Sequence, residues 1–428
     1  MTPSPHADVP DAGMPDAVVP DPAWLRGEAY RLLDGARAAR VAEGGFGWLD
    51  ADGRPERRRP PELWITTRMT HCFALGTLLG RDGDAALADH GIAALTGPFA
   101  DGDHGGWYPA LPAAEPSAEA PGPPAGRKEA YGHAFVLLAA AGATVAGRPG
   151  ARDLLDRATA VVLERFWDER DGALAESFAP GWTDPEPYRG ANANMHAVEA
   201  FLAVADATGD PAWLDRALRI AARLVDGEAR RHGWRLPEHF TAGWTALPDY
   251  NADAPAHPFR PYGVTPGHGL EWARLVLTLA AALDVAGRPV PPWAGEAAAG
   301  LYDRAVADGW DGEHGGFAYT TDWSGVPVVR ERFHWVSCEA IAAAHALHAA
   351  TGDPRYAADL ARFWAHARAT FLDGRPGWRH EADALGRPSE VTWQGRPDVY
   401  HALQACLIRL LPPAASFAAA AARADLPA

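Results

Sequence analysis

Six apolar stretches of the chain each open on a turn of polar side chains. These are Arg68 and His71, Tyr131 and His133, Asn192 and His196, His268 and Glu271, Trp335 and Glu339, and Asp398 and His401. Counting from His71, the steps to His133, His196, His268, Trp335 and His401 are 62, 63, 72, 67 and 66 residues. Histidine titrates near neutral pH and serves as acid or base, so several at equivalent positions point to proton transfer. The carboxylates Glu271, Glu339 and Asp398 leave hydrolysis of a glycosidic bond by paired acids open as an alternative. A single histidine at a helix start is more often structural. The weight therefore lies with the set; His133 alone does not carry it, and His90, His232 and His380 read as structural.

Other chemistries fare worse. His196-x-x-Glu199 and His268-x-x-Glu271 put metal-ligand types one helical turn apart, but no His-x-x-x-His pair or further carboxylate cluster accompanies them. No metal or other cofactor is expected. His71 and Cys72 are neighbours in sequence and diverge by about 100° on a helix, which rules out a nucleophilic pair. Lys128 is the only lysine, so neither a Schiff base nor a phosphate-binding Gly-Lys-Ser/Thr loop has a good candidate. Among 17 tryptophans, Trp64, Trp272, Trp335 and Trp393 lie beside the polar positions. Aromatic faces pack on C–H surfaces while polar groups bind hydroxyls, which favours a neutral carbohydrate as the small-molecule ligand.

The elements that must position these residues repeat. Gly-aromatic turn clusters such as Gly44-Gly-Phe-Gly-Trp48, Gly105-Gly-Trp-Tyr108 and Gly315-Gly-Phe-Ala-Tyr319 recur, with anchors at Gly45, Gly106, Gly172, Gly233, Gly316 and Gly377. Their spacings are 61, 66, 61, 83 and 61, and the long one holds an insertion over 245–265. An amphipathic stretch precedes each cluster (22–42, 84–96, 151–166, 211–226, 292–308, 354–371), and an almost wholly apolar one follows it (64–80, 129–147, 192–208, 266–286, 333–351, 396–410). A helix apolar on all sides is buried. The chain is therefore read as all-α, an (α/α)6 barrel of six outer and six inner helices joined by short β-hairpin loops. An open superhelix of helix pairs is the alternative, disfavoured because it would expose apolar inner helices at its ends. In the closed form the six polar turns meet at one end of one cavity. One catalytic domain is expected over 22–412, between a disordered tail at 1–21 and a C-terminal tail at 413–428. The Pro/Ala-rich segment 110–127 reads as a disordered insertion or a lid, and 245–265 as the better lid.

Composition narrows the partners. A formal charge of −16, from 39 basic and 55 acidic residues, argues against nucleic acid. No apolar run reaches the length of a membrane span. Three distant cysteines without a Cys-x-x-Cys fit a reducing compartment, and the chain start lacks a signal-peptide pattern, so a cytoplasmic location is expected. Monomer and homodimer are both compatible with the sequence.

Four segments resemble one family. Arg68-Met-Thr-His71, Asn192-Ala-Asn-Met-His196-Ala-Val-Glu-Ala200, Pro266-Gly-His-Gly-Leu-Glu-Trp272 and Pro397-Asp-Val-Tyr-His401-Ala-Leu-Gln404 are similar to the N-acylglucosamine 2-epimerase superfamily. The Arg-Met-Thr-His form resembles its aldose–ketose isomerase branch, the mannose and sulfoquinovose isomerases, over about residues 22–412. The resemblance implies the same barrel and no metal or nucleotide. It also implies that His268 and His401 are the acid/base pair, acting through a cis-enediol of the open-chain sugar. By the same resemblance Glu271 orients His268, Arg68 stabilises enediolate charge, and Tyr131, Asn192, His196, Trp335 and Glu339 bind substrate, with Asp398 beside them. Mannose–fructose interconversion is the first expectation, with lyxose–xylulose a variant. Sulfoquinovose isomerisation would need a cation for the sulfonate, for which Arg260 and Arg396 are the candidates. A 2-epimerase comes next. An (α/α)6 glycoside hydrolase and a non-catalytic sugar-binding barrel stand further off.

Overall fold

The computed structural model describes residues 18–113, 115 and 126–424. Most of the tail expected at 1–21, and the tip of the Pro/Ala-rich segment, lie outside them. Outer helices α1 (Pro22–Ala36), α3 (Asp84–Thr96), α5 (Ala151–Val161), α7 (Ala212–Ala221), α9 (Ala294–Gly309) and α11 (Pro354–Phe371) alternate with an inner set. The inner helices are α2 (Leu63–Leu78), α4 (Ala130–Val145), α6 (Ala191–Thr208), α8 (Pro266–Val285), α10 (His334–Thr351) and α12 (Tyr400–Leu407). Each inner helix packs on the next, and α12 packs on both α2 and α1, so the ring closes and the open superhelix is excluded.

Burial explains the division. In α4 every residue from Gly132 to Ala143 is buried, whereas α7 buries only one stripe, Trp213, Leu214, Ala217, Ile220 and Ala221. Outer helices α1 and α11 start on Pro, with Asp21 and Asp353 accepting the free N–H groups of Trp24 and Arg355. No inner helix is capped by the side chain of its own N-cap residue. Their first N–H groups instead donate to carbonyls of the next repeat's loop: Leu63 to Pro109, Ala130 to Glu176, Ala191 to Glu238 and His334 to His380.

The expected β-hairpin loops are present, and further ladders join one repeat to the next. Of the five two-stranded ladders among the described residues, two are local, Trp167–Asp168 with Ala173–Leu174 and Thr320–Thr321 with Pro327–Val329. The other three join successive repeats: Lys128–Glu129 with Ser177–Phe178, Tyr188–Gly190 with His239–Thr241, and Arg332–Phe333 with Glu381–Ala382. Bridges Glu62 to Ala110 and Val264 to Thr321 continue the series. Arg396 N–H donating to Leu49 O at 2.8 Å joins the last repeat to the first. A ring of main-chain bonds thus ties together the ends that carry the polar turns.

Two boundaries differ from expectation. The last inner helix starts at Tyr400 rather than near 396, because Pro397 has no N–H and the Asp398 side chain accepts from Tyr400 N. The segment assigned to a C-terminal tail carries α13 (Phe417–Arg423), packed on α2, α4 and α6 at the end of the barrel away from the polar turns. Ser416 caps this helix and bonds Asp206 near the end of α6. No helix among the described residues is long and apolar enough to cross a membrane.

Candidate active site

An open pocket, about 640 Å³ with its mouth to solvent included, lies where the first turns of the inner helices meet. Of the ten residues singled out by sequence, nine line it: Arg68, Tyr131, Asn192, His196, His268, Glu271, Trp335, Asp398 and His401. The tenth, Glu339, stands behind His401.

Both candidate acid/base histidines are held the same way. His268 Nδ1 lies 2.9 Å from Glu238 Oε1, and His401 Nδ1 lies 2.8 Å from Glu339 Oε1. A carboxylate only accepts, so each Nδ1 carries the proton and Nε2 is the nitrogen left to act as base. The two rings flank Trp335, at centroid distances of 5.3 and 5.9 Å and tilts of 37° and 40°. Gly267 makes this fit possible, since a Cβ there would come within 2.4 Å of the Trp335 ring.

The expected partnership of Glu271 with His268 is not formed. Glu271 Oε1 instead faces His196 Nδ1 at 3.8 Å and Arg274 at 3.7 Å. Glu238, just before the strand His239–Thr241, reaches His268 in its place. Glu339, expected to bind substrate hydroxyls, is occupied by His401 and by Arg274 Nε at 3.1 Å.

Arg68 is the fixed cation. Its guanidinium donates to Asp398 Oδ2 at 3.2 Å and to Tyr131 Oη at 2.9 Å. Burial opposes its charge, but Tyr131, Asp398 and Tyr400 hold its proton affinity above the ordinary arginine value. Burial pushes the Tyr131 phenol up to about 12, so its hydroxyl keeps a proton to donate. Asp398 is fully engaged, its other oxygen accepting from Tyr400 N at 2.9 Å.

Beneath the cavity three glutamates share one arginine. Burial, then the neighbouring Glu339, lifts the Glu271 carboxyl well above the usual range. At Glu199 burial is outweighed by bonding to His196 and by the Arg274 charge, so it stays ionised, and it accepts from Tyr400 Oη and Gln404 Nε2. Burial holds His196 neutral, at about 4. His196, Glu199 and Glu271 place ligand atoms within 4.8 Å of one another and are the one such group found among the described residues. Tyr400 and Gln404 serve Glu199, whereas Glu271 Oε1 has no hydrogen-bond partner.

Further expectations change. Trp64 and Trp393 line the cavity with Trp335, but Trp272 is fully buried outside it. His71 is buried in the core under Tyr400, and His133 is satisfied by Trp107 N and Glu129 O. Histidines that line the cavity instead are His334, passed over beside Trp335, and His380, read as structural. Neither sulfonate candidate is free: Arg260 is held by Glu186 and Arg396 by Asp373 and three loop carbonyls. From the 245–265 insertion, Pro258 and Phe259 reach the cavity, and Phe259 stands 36% exposed at its mouth against Trp64, Tyr131 and Trp393.

Comparison with known proteins agrees with this arrangement. Residues 44–405 match the model of the N-acylglucosamine 2-epimerase (GlcNAc 2-epimerase) family. The chain is 53% identical over 405 residues to a D-mannose isomerase of Thermobifida fusca, covering 94% of this chain and 97% of that one. It is 50% identical over 404 residues to a D-mannose isomerase of Pseudomonas cannabina pv. alisalensis, covering 94% and 95%. A crystal structure of a D-mannose isomerase superposes with a TM-score of 0.82 at 27% identity, over 90% of this chain and 97% of the other. The cellobiose 2-epimerase of Spirochaeta thermophila, at 20% identity and a TM-score of 0.75, covers 90% and 95% and shares the fold. With the closed barrel, the paired histidines and a family match spanning most of its length, the chain belongs to the N-acylglucosamine 2-epimerase family.

Proposed function

We propose that this protein is an aldose–ketose isomerase interconverting D-mannose and D-fructose. The observation that carries the reading is the pair His268 and His401, each with Nδ1 held by a glutamate and both beside Trp335 in one cavity. Similarity over nearly the whole chain to proteins named D-mannose isomerase supports the substrate.

The aldose must first open. One imidazole, with Nε2 unprotonated, removes the C2 proton of the open-chain aldose as electrons move onto the carbonyl oxygen. Protonation of that oxygen gives the cis-enediol. Loss of the C2 hydroxyl proton and return of a proton to C1 then give the ketose. Arg68 offers charge to the oxygen that becomes negative, and a fixed cation in a dry site needs no reorganisation to do so. The Glu238 and Glu339 carboxylates steady each imidazolium as it forms. Trp335 presents an apolar surface to the sugar, while Tyr131 and Asn192 meet its hydroxyls.

The alternatives lose ground on specific contacts. Arg260 and Arg396 are engaged elsewhere, which leaves a C6 sulfonate without the cations proposed for it. Of the carboxylates considered for glycoside hydrolysis, Asp398 has both oxygens bonded and Glu339 lies behind His401. The test is proton NMR of D-mannose with the protein in D2O containing EDTA. Fructose carrying solvent deuterium at C1 is expected; glucose as the main product would indicate 2-epimerisation. No reaction of mannose would refute the reading.

A further inference from the structure

His334 and His380 form a pair of rings 3.9 Å apart and tilted by 33°, both lining the cavity. The two play different parts. His380 Nε2 donates to the Asp398 carbonyl at 3.1 Å, and the His380 carbonyl accepts from His334 N. His380 is therefore tied into the loop that begins α12 and forms a platform for its neighbour. His334 is 3% exposed, and neither of its ring nitrogens has a partner within the protein. An unpartnered buried imidazole is costly, and one that borders a ligand cavity has an evident way to be satisfied.

We propose that His334 is a substrate-binding residue that holds a sugar hydroxyl beyond C2. The inference rests on the isomerase reading. The oxygens on C1 and C2 must face His268, His401 and Arg68 for the reaction to proceed, so His334 serves a more remote hydroxyl. Burial, reinforced by His380 and His401, keeps His334 neutral near pH 7, as it does His380, which is pushed down to about 3. A neutral imidazole has one N–H donor and one lone pair, which suits a hydroxyl in either sense. An imidazolium here would favour an anion.

The experiment compares D-mannose with its 3-, 4- and 6-deoxy derivatives, using the wild-type protein, His334→Ala and His334→Gln. With D-mannose, His334→Ala should lower kcat/KM by roughly 10- to 100-fold, mostly through KM, as loss of a buried hydrogen-bond partner does. One deoxy sugar should be a correspondingly poor substrate for the wild type, and His334→Ala should turn over that sugar no worse than the wild type does. His334→Gln, which can donate and accept, should restore part of the loss on D-mannose alone. Equal losses on all four sugars would assign His334 a structural role and overturn the inference. So would unchanged mannose kinetics in a folded variant. The wild-type deoxy series involves no substitution, and full activity on all three sugars would overturn the inference even if both variants failed to fold. A wild type that leaves D-mannose unchanged would refute the isomerase reading itself, and this inference with it.

Discussion

Replacing Glu238 by Gln tests the assignment of His268 most directly. The side chain is 3% exposed and keeps the same shape, so the substitution removes charge without opening a cavity. A hydrogen bond to a charged group contributes about 1.5–3 kcal/mol and one between neutral groups about 0.5–1.5. At the 2.9 Å separation of Glu238 and His268, the difference falls on the imidazolium, which forms only as the proton moves. A loss of about 1–2 kcal/mol is then expected in the transition state, roughly 5- to 30-fold in kcat with KM within about twofold. If the new amide turns its NH2 toward Nδ1, the ring proton is forced onto Nε2 and the loss grows, because that tautomer cannot act as base. The assay is the initial rate of fructose formation at saturating and at low mannose, with folding checked by the unfolding midpoint. An unchanged kcat in folded Glu238→Gln would refute the reasoning. An equivalent loss from Glu271→Gln in its place would return the partnership to Glu271.

Glu339→Gln should resemble Glu238→Gln in kcat but also lower stability by about 1–3 kcal/mol in urea denaturation, since buried Arg274 loses a counter-charge. Lys128→Met should destabilise the protein by about 3–5 kcal/mol, because Lys128 Nζ is buried 2.6 Å from Asp101 and removal strands that carboxylate. Thermal unfolding should shift steeply with acidification. Burial lowers His71, His133, His196 and His366 to about 4 and His380 to about 3. Below pH 6.5 the unfolded chain binds protons that the folded one refuses, so stability falls with falling pH down to those values. The loss approaches about 1.4 kcal/mol per histidine per pH unit. A flat midpoint between pH 7 and 5 would contradict this account.

The repeat was legible because each inner helix must be apolar all round while its outer partner need be so on one stripe, and composition records that difference locally. The same alternation showed which six turns converge, and nine of their twelve named residues border the cavity, His71, His133 and Glu339 being the exceptions. What escaped was the layer supplied by the loops. Glu238 and His380 follow the Gly-aromatic clusters, and their carbonyls cap the start of an inner helix in the preceding repeat, Ala191 and His334. That common place in the repeat was a signal available to alignment of the clusters, but it pointed to no particular partner.

Sequence alone therefore determined the twelve barrel helices, their inner or outer place and the set of polar turns at one end, because these follow from periodicity over short stretches, while α13 escaped it. Only tertiary structure decided which carboxylate holds which histidine. Glu238 and His268 are 30 residues apart and Glu339 and His401 are 62 apart, each pair meeting across different elements. It also decided that Arg260 and Arg396 are spent on neighbouring acids and carbonyls, and that His334 is left with none. Hydrogen bonding acts over about 3 Å, so partner choice depends on how separate elements are brought together rather than on local spacing.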